Sequence, residues 1–111
     1  MRRWVLAPLV LVALVALVGC ESLDEVEPDV GASEVTVEDN EFSSRVIQVT
    51  PGTEVTWTWK ARNDHNVVGD DFQSAVQRDG TFAYTFANPG TYDYRCTLHG
   101  GMTGRVIVAA D

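Results

Sequence analysis

The chain has 111 residues, with 8 basic and 16 acidic side chains and a net charge of −8, which is room for one small domain. That charge repels phosphate backbones and argues against a nucleic-acid partner. Two cysteines and two histidines are too few for a disulfide scaffold, an iron–sulfur protein or a multicopper oxidase.

The chain opens on Arg2 and Arg3, continues through an apolar run from Trp4 to Val18, and reaches small Gly19 before Cys20, the layout of an export signal. The run falls short of the about 20 residues of a comfortable membrane span. "LVGC" at 17–20 resembles the lipobox of bacterial and archaeal lipoproteins. The resemblance implies removal of residues 1–19, a lipid on Cys20, and an extracytoplasmic domain anchored to the outer side of the cell membrane or in the periplasm. Arg2 and Arg3 leave both general and twin-arginine export open.

Residues 21–32, "ESLDEVEPDVGA", are acidic, contain Pro28 and Gly31, and carry no sustained apolar period, so they read as a flexible tether. Fully extended, such a segment reaches about 40 Å. The acidic balance suits a basic protein partner, a saline habitat or plain solubility, and composition does not choose among them.

From residue 33 to 111 the pattern has period two, the mark of strands with one buried face. "EVTVED" alternates through Val35 and Val37, and "RVIQVT" supplies Val46, Ile47 and Val49. "PGTEVTWTWK" begins in a turn and then points Val55, Trp57 and Trp59 inward. "TFAYTFANPG" does the same with Phe82, Tyr84 and Phe86, and its turn leads into "TYDYRC", where Tyr92, Tyr94 and Cys96 share a face. "GRVIVAAD" closes the chain. Short strands at this spacing predict an all-β, two-sheet antiparallel sandwich of about 7–8 strands. "NVVGDDFQSAVQRDG" is the least regular stretch and reads as a loop or a single helical turn.

With Cys20 lipidated, the soft and imidazole ligands that remain are His65, Cys96, His99 and Met102, and three of the four fall within "YRCTLHGGM". Thiolate and thioether suit Cu(I) and imidazole suits both oxidation states, so this set matches a copper ion cycling between Cu(I) and Cu(II). Zinc has less use for a thioether. Gly100 and Gly101 permit a tight backbone path after His99. His65 arrives from a separate segment, just past the tryptophan-rich strand. Taken singly, these residues read otherwise: Met102 as core filler, Cys96 as a small buried hydrophobe.

Together they carry a family resemblance that covers nearly the whole domain, residues 35–108. "GTYDYRCTLHGGMTGRVIV" is similar to the closing segment of amicyanins, with C-x-x-H-x-x-M spacing, and "VTPGTEVTWTW" followed by "DHNV" resembles the approach to that family's first histidine. The chain thus resembles a cupredoxin of the plastocyanin and amicyanin group, a Greek-key β-sandwich. The resemblance makes His65, Cys96 and His99 equatorial ligands of one copper ion and Met102 the axial one. It also has Asn66 donate its backbone N–H to the Cys96 sulfur while its side chain pins two loops, and makes Tyr92 a tyrosine corner. Leu98 stands where the family usually has proline.

The function this implies is that of a monomeric, membrane-tethered one-electron carrier and not an enzyme, meeting its redox partners around His99 on a small patch without fixed charge. A copper-storage or copper-delivery lipoprotein using the same ligands is the alternative, disfavoured by the lack of further Met or His runs. Trp57 and Trp59 are expected in the core, and Asp70 and Asp71 on a solvated turn.

Overall fold

The computed structural model describes residues 22–110, so the stretches expected to form an export signal and to carry a lipid on Cys20 lie outside the described residues. Among the described residues nine strands follow one another: β1 (Asp29–Val30), β2 (Glu34–Glu38), β3 (Glu41–Ser43), β4 (Val46–Val49), β5 (Thr53–Trp59), β6 (Val68–Gly69), β7 (Thr81–Phe86), β8 (Gly90–Arg95) and β9 (Thr103–Val108). They form two sheets, ordered β3-β2-β5-β7 and β1-β4-β9-β8-β6. The expected sandwich is present, and its sheets are mixed. β2 runs parallel to β5, and β4 parallel to both β1 and β9, while β5 with β7 and β8 with β9 are antiparallel.

The alternating residues fill the space between the sheets. Val35, Val37, Val55, Trp57 and Trp59 are all buried on the first sheet, and Val106 and Val108 on the second. Trp57, fully enclosed, is the centre of an aromatic cluster, with the Tyr94 ring edge-on at 5.3 Å and Phe72 stacked at 5.7 Å. Burial of rings this large is the main apolar contribution to a domain of this size.

Phe72 comes from the irregular stretch, which contains no helix. Bridges Val68 to Gln73 and His65 to Gln77 fold it back on itself, and the Ser74 hydroxyl accepts from the Val67 N–H at 2.8 Å. The Tyr92 hydroxyl donates to the Asn88 carbonyl at 2.7 Å, four residues upstream, which is the tyrosine-corner bond.

Residues 22–32 lie along the domain. Leu23–Glu25 form a 3-10 turn capped by Ser22, and β1 pairs with β4 at Asp29 and Val30. Arg105, on β9, holds the Asp24 carboxylate at 2.6 Å and the Asp93 carboxylate at 2.6 Å. Strand pairing and this shared guanidinium give the acidic segment a partner that its composition did not disclose.

Two connections position the functional end. β8 and β9 pair from Gly90 opposite Val108 to Arg95 opposite Thr103, so residues 96–102 form the loop of a long, well-braced hairpin. Val37 on β2 pairs with Trp59 on β5, which sets the two-residue turn Asp39-Asn40 beside the chain leaving β5. Asn40 has φ 69°, the left-handed conformation that short hairpin turns demand and asparagine tolerates.

Gly104 lies opposite Tyr94 in the hairpin, and a Cβ there would collide with the Tyr94 ring. Gly104→Ala should therefore force that ring off its packing against Trp57 and lower the stability of the metal-free protein by about 1–3 kcal/mol. Urea denaturation measures the loss, and an unchanged midpoint would show that the core accommodates the methyl group.

Candidate metal centre

His65 is held from three directions. Its N–H donates to the Gln77 carbonyl at 3.1 Å, its carbonyl accepts from the Gln77 N–H at 3.0 Å, and the same carbonyl accepts from the Trp59 indole N–H at 3.0 Å. Trp59 thus adds a hydrogen bond to its place in the core. The imidazole itself is wholly enclosed, 0% exposed, with Nε2 lying 3.0 Å from Oδ1 of Asp39.

A carboxylate only accepts, so Nε2 is the nitrogen that donates to it, and this contact selects the tautomer whose lone pair is on Nδ1. That lone pair belongs to the nitrogen on the sulfur side, since Nδ1 stands 3.8 Å from Sγ of Cys96.

The hairpin loop supplies the other donors. Cys96, just past the end of β8, is buried and free among the described residues. Its sulfur is 3.6 Å from Nδ1 of His99, and the two imidazole rings lie 4.6 Å apart at 43°. The donor atoms of His65, Cys96 and His99 all fall within 4.8 Å of one another.

The loop is closed by its own backbone, the Cys96 N–H donating to the Met102 carbonyl at 3.0 Å and the Met102 N–H to the His99 carbonyl at 3.3 Å. Gly101, at φ 80°, makes the sharp return, so of the two glycines it alone uses the left-handed region. Met102 is buried at 2% exposure.

The donor set fits copper. A thiol and an imidazole packed together in an apolar interior have few hydrogen-bond partners to offset their desolvation, and a shared cation supplies what the protein does not. The site also has a preset tautomer at His65 and donors fixed to a braced hairpin, so its shape need not be created by the metal.

Asn66 links the two loops. Its Nδ2 donates to the Thr97 hydroxyl at 2.8 Å and its Oδ1 accepts from the Thr97 N–H at 2.8 Å. A bond from the Asn66 backbone N–H to the Cys96 sulfur is not found among the described residues.

Asp39 is the member of this neighbourhood that the sequence did not announce. Besides the His65 ring it receives the Asn63 N–H at 3.0 Å, the Arg62 N–H at 3.1 Å and the Asn63 side-chain amide at 3.2 Å. The His65 ring and the backbone N–H groups of Asn63 and Arg62 hold its carboxyl well below the usual carboxylate range. Its signal was the short "DN" turn after an alternating strand, which marks a hairpin and says nothing of what the aspartate touches.

His99 differs from His65 in being only partly buried. Beside it is an open hollow of about 360 Å³ lined by Thr97, Gly100, Gly101 and Arg95 among others, and Leu98 is 46% exposed. The patch expected to lack fixed charge thus has a basic residue, Arg95, at its border. Asn66→Ala removes both bonds between the loops and should cost about 1–3 kcal/mol in the metal-free protein, read from its denaturation midpoint. Asn66→Asp, which keeps an acceptor for the Thr97 N–H, should cost less, and equal losses would contradict the pinning role.

Comparison with known proteins agrees with this geometry. The family described as copper binding proteins, plastocyanin/azurin family, matches residues 30–109. Amicyanin-alpha of Methylorubrum extorquens is 34% identical over 90 residues, covering 74% of this chain and 76% of that protein. The amicyanin of Paracoccus denitrificans is 31% identical over 86 residues, 70% of this chain and 66% of its own length.

Among solved structures, a purple cupredoxin from Nitrosopumilus maritimus shares the fold at TM-score 0.65 and 23% identity, over 70% of this chain and 100% of that one. An oxidized proline-to-alanine mutant of amicyanin superposes at TM-score 0.60 with 29% identity, over 71% of this chain and 83% of that one. The match spans the sandwich and the loops that carry His65 and Cys96, and on it the chain belongs to the plastocyanin/azurin family of copper-binding proteins as a cupredoxin of the amicyanin group, an electron carrier and not an enzyme.

Proposed function

We propose that this chain is a membrane-tethered blue-copper protein in which His65, Cys96 and His99 are the equatorial ligands and Met102 the axial ligand of one copper ion, with His99 as the port for single electrons. The observation that carries the reading is the Cys96 sulfur flanked by Nδ1 of His65 at 3.8 Å and Nδ1 of His99 at 3.6 Å. Bound copper supplies the Cu(I)/Cu(II) couple.

The residues around it supply rigidity and access. Asp39, Trp59 and Gln77 fix His65, and the Asn66–Thr97 bonds fix the distance between the loops. A cage that does not move when its charge changes favours rapid exchange, because little structural rearrangement accompanies each electron. His99, partly exposed beside Leu98, brings a ligand edge to the surface, where a brief contact of under about 1,200 Å² suffices for a redox encounter. Leu98, in place of the family's usual proline, leaves the chain freer next to His99.

The tether rests on the sequence: the basic start, the apolar run and "LVGC" ending at Cys20. Lipid on Cys20 would hold the carrier outside the cytoplasmic membrane, within reach of membrane-bound donors or acceptors.

Four results test this. Cys96→Ser should abolish the intense visible thiolate-to-copper band that the Cu(II)-loaded parent displays, and a coloured serine variant would remove the thiolate from the site. His99→Gly should slow electron exchange while leaving the fold intact, and an unchanged rate with unchanged colour would refute the port. The parent should also pass through repeated reduction and reoxidation with its copper retained, whereas loss of Cu(I) to a chelating acceptor at each reduction would favour copper delivery. In cells, Cys20→Ser should move the chain from the membrane fraction to the soluble one, and a variant still on the membrane would exclude lipid on that residue.

A further inference from the structure

The carboxylate of Asp39 is placed where it can act on the redox couple as well as on the shape of the site. It contacts the far nitrogen of His65 at 3.0 Å, while the near nitrogen faces the Cys96 sulfur. Reduction of the site subtracts one positive charge from the donor side of that ring. A fixed negative charge on the other side therefore interacts more favourably with the oxidised site than with the reduced one. An imidazole whose N–H is bound to a carboxylate is also a stronger donor, which again favours the more highly charged ion.

The geometry keeps this charge in place. Asp39 occupies the turn between β2 and β3, where Glu38 pairs with Glu41, and its oxygens are bound by the backbone N–H groups of Arg62 and Asn63 and by the Asn63 amide. With so many donors turned on it, the group stays ionised and cannot rotate away from His65. The ring is fully buried and the carboxylate one-third exposed, so water screens the interaction from one side only.

From this geometry we infer that Asp39 is a positioning residue that lowers the reduction potential of the copper centre. The inference rests on the copper reading given above. Its electron balance is simple: one electron from an external reductant enters the site, and the Nε2–H stays on His65.

The test compares midpoint potentials of the copper-loaded protein. Asp39→Asn keeps an oxygen for the His65 N–H and removes the charge. It should raise the equilibrium constant for reduction about tenfold, a rise of ~59 mV for a one-electron couple. Asp39→Glu, which restores the charge, should return most of that shift. Asp64→Asn removes the same charge one residue from His65, from a carboxylate that pairs with Arg78, and should move the potential much less.

Should the asparagine variant fail to load copper, Asp39→Ser, a smaller neutral acceptor, gives the same comparison. In the metal-free parent, nitrogen NMR of the imidazole should show the proton of His65 on Nε2, and a proton on Nδ1 would overturn the inference. So would a blue Asp39→Asn or Asp39→Ser variant whose reduction constant lies within about twofold of the parent, or an equal shift in Asp64→Asn. A parent protein that takes up no copper would sink the copper reading and this inference together.

Discussion

Two side chains 31 residues apart in sequence, His65 and Cys96, face one another at 3.8 Å in the interior of a β-sandwich, and most of the architecture serves to hold them there. Neither loop closes this gap alone. The chain leaving β5 is gripped by Trp59, Gln77 and Asp39, and the loop between β8 and β9 is set by the register of its hairpin. The Asn66–Thr97 pair then sets one loop against the other. A thiol and an imidazole enclosed this way would be unfavourable by themselves, since burial strips both of water. Their closeness makes sense when both face a common cation.

The asymmetry between the two histidines follows from the same construction. His65 comes from a segment folded under β2 and β5 and is sealed from solvent, whereas His99 sits at the tip of a hairpin and reaches the surface. One is thereby suited to fixing geometry and the other to contact with a partner. Arg95 at the rim and exposed Leu98 give the surface beside His99 both a charge and an apolar edge.

Much of this was legible in the sequence because the strands alternate cleanly. Val35, Val37, Val55, Trp57 and Trp59 point inward as their period requires, and the loop that starts at Cys96 brings its sulfur and His99 together through local spacing. What stayed hidden depends on which strands become neighbours. The parallel pairing of β2 with β5 carries the Asp39 turn to His65, 26 residues away, and no local pattern encodes that meeting. Phe72 was read as part of a loop, and it belongs to the core because bridges at both ends of its segment fold it inward. The acidic stretch before β2 has the composition of a free linker, yet Arg105 and the exposed edge of β4 offer it an ion pair and a strand partner.

The central claim is that one thiolate and two imidazoles share a single copper ion. Copper K-edge X-ray absorption on the loaded protein measures that directly, because sulfur and nitrogen scatterers separate in the first coordination shell. The account predicts one strong sulfur and two imidazole nitrogens per copper, with the sulfur lost in the Cys96→Ser protein. A first shell of nitrogen and oxygen alone, or sulfur that persists without Cys96, would contradict it.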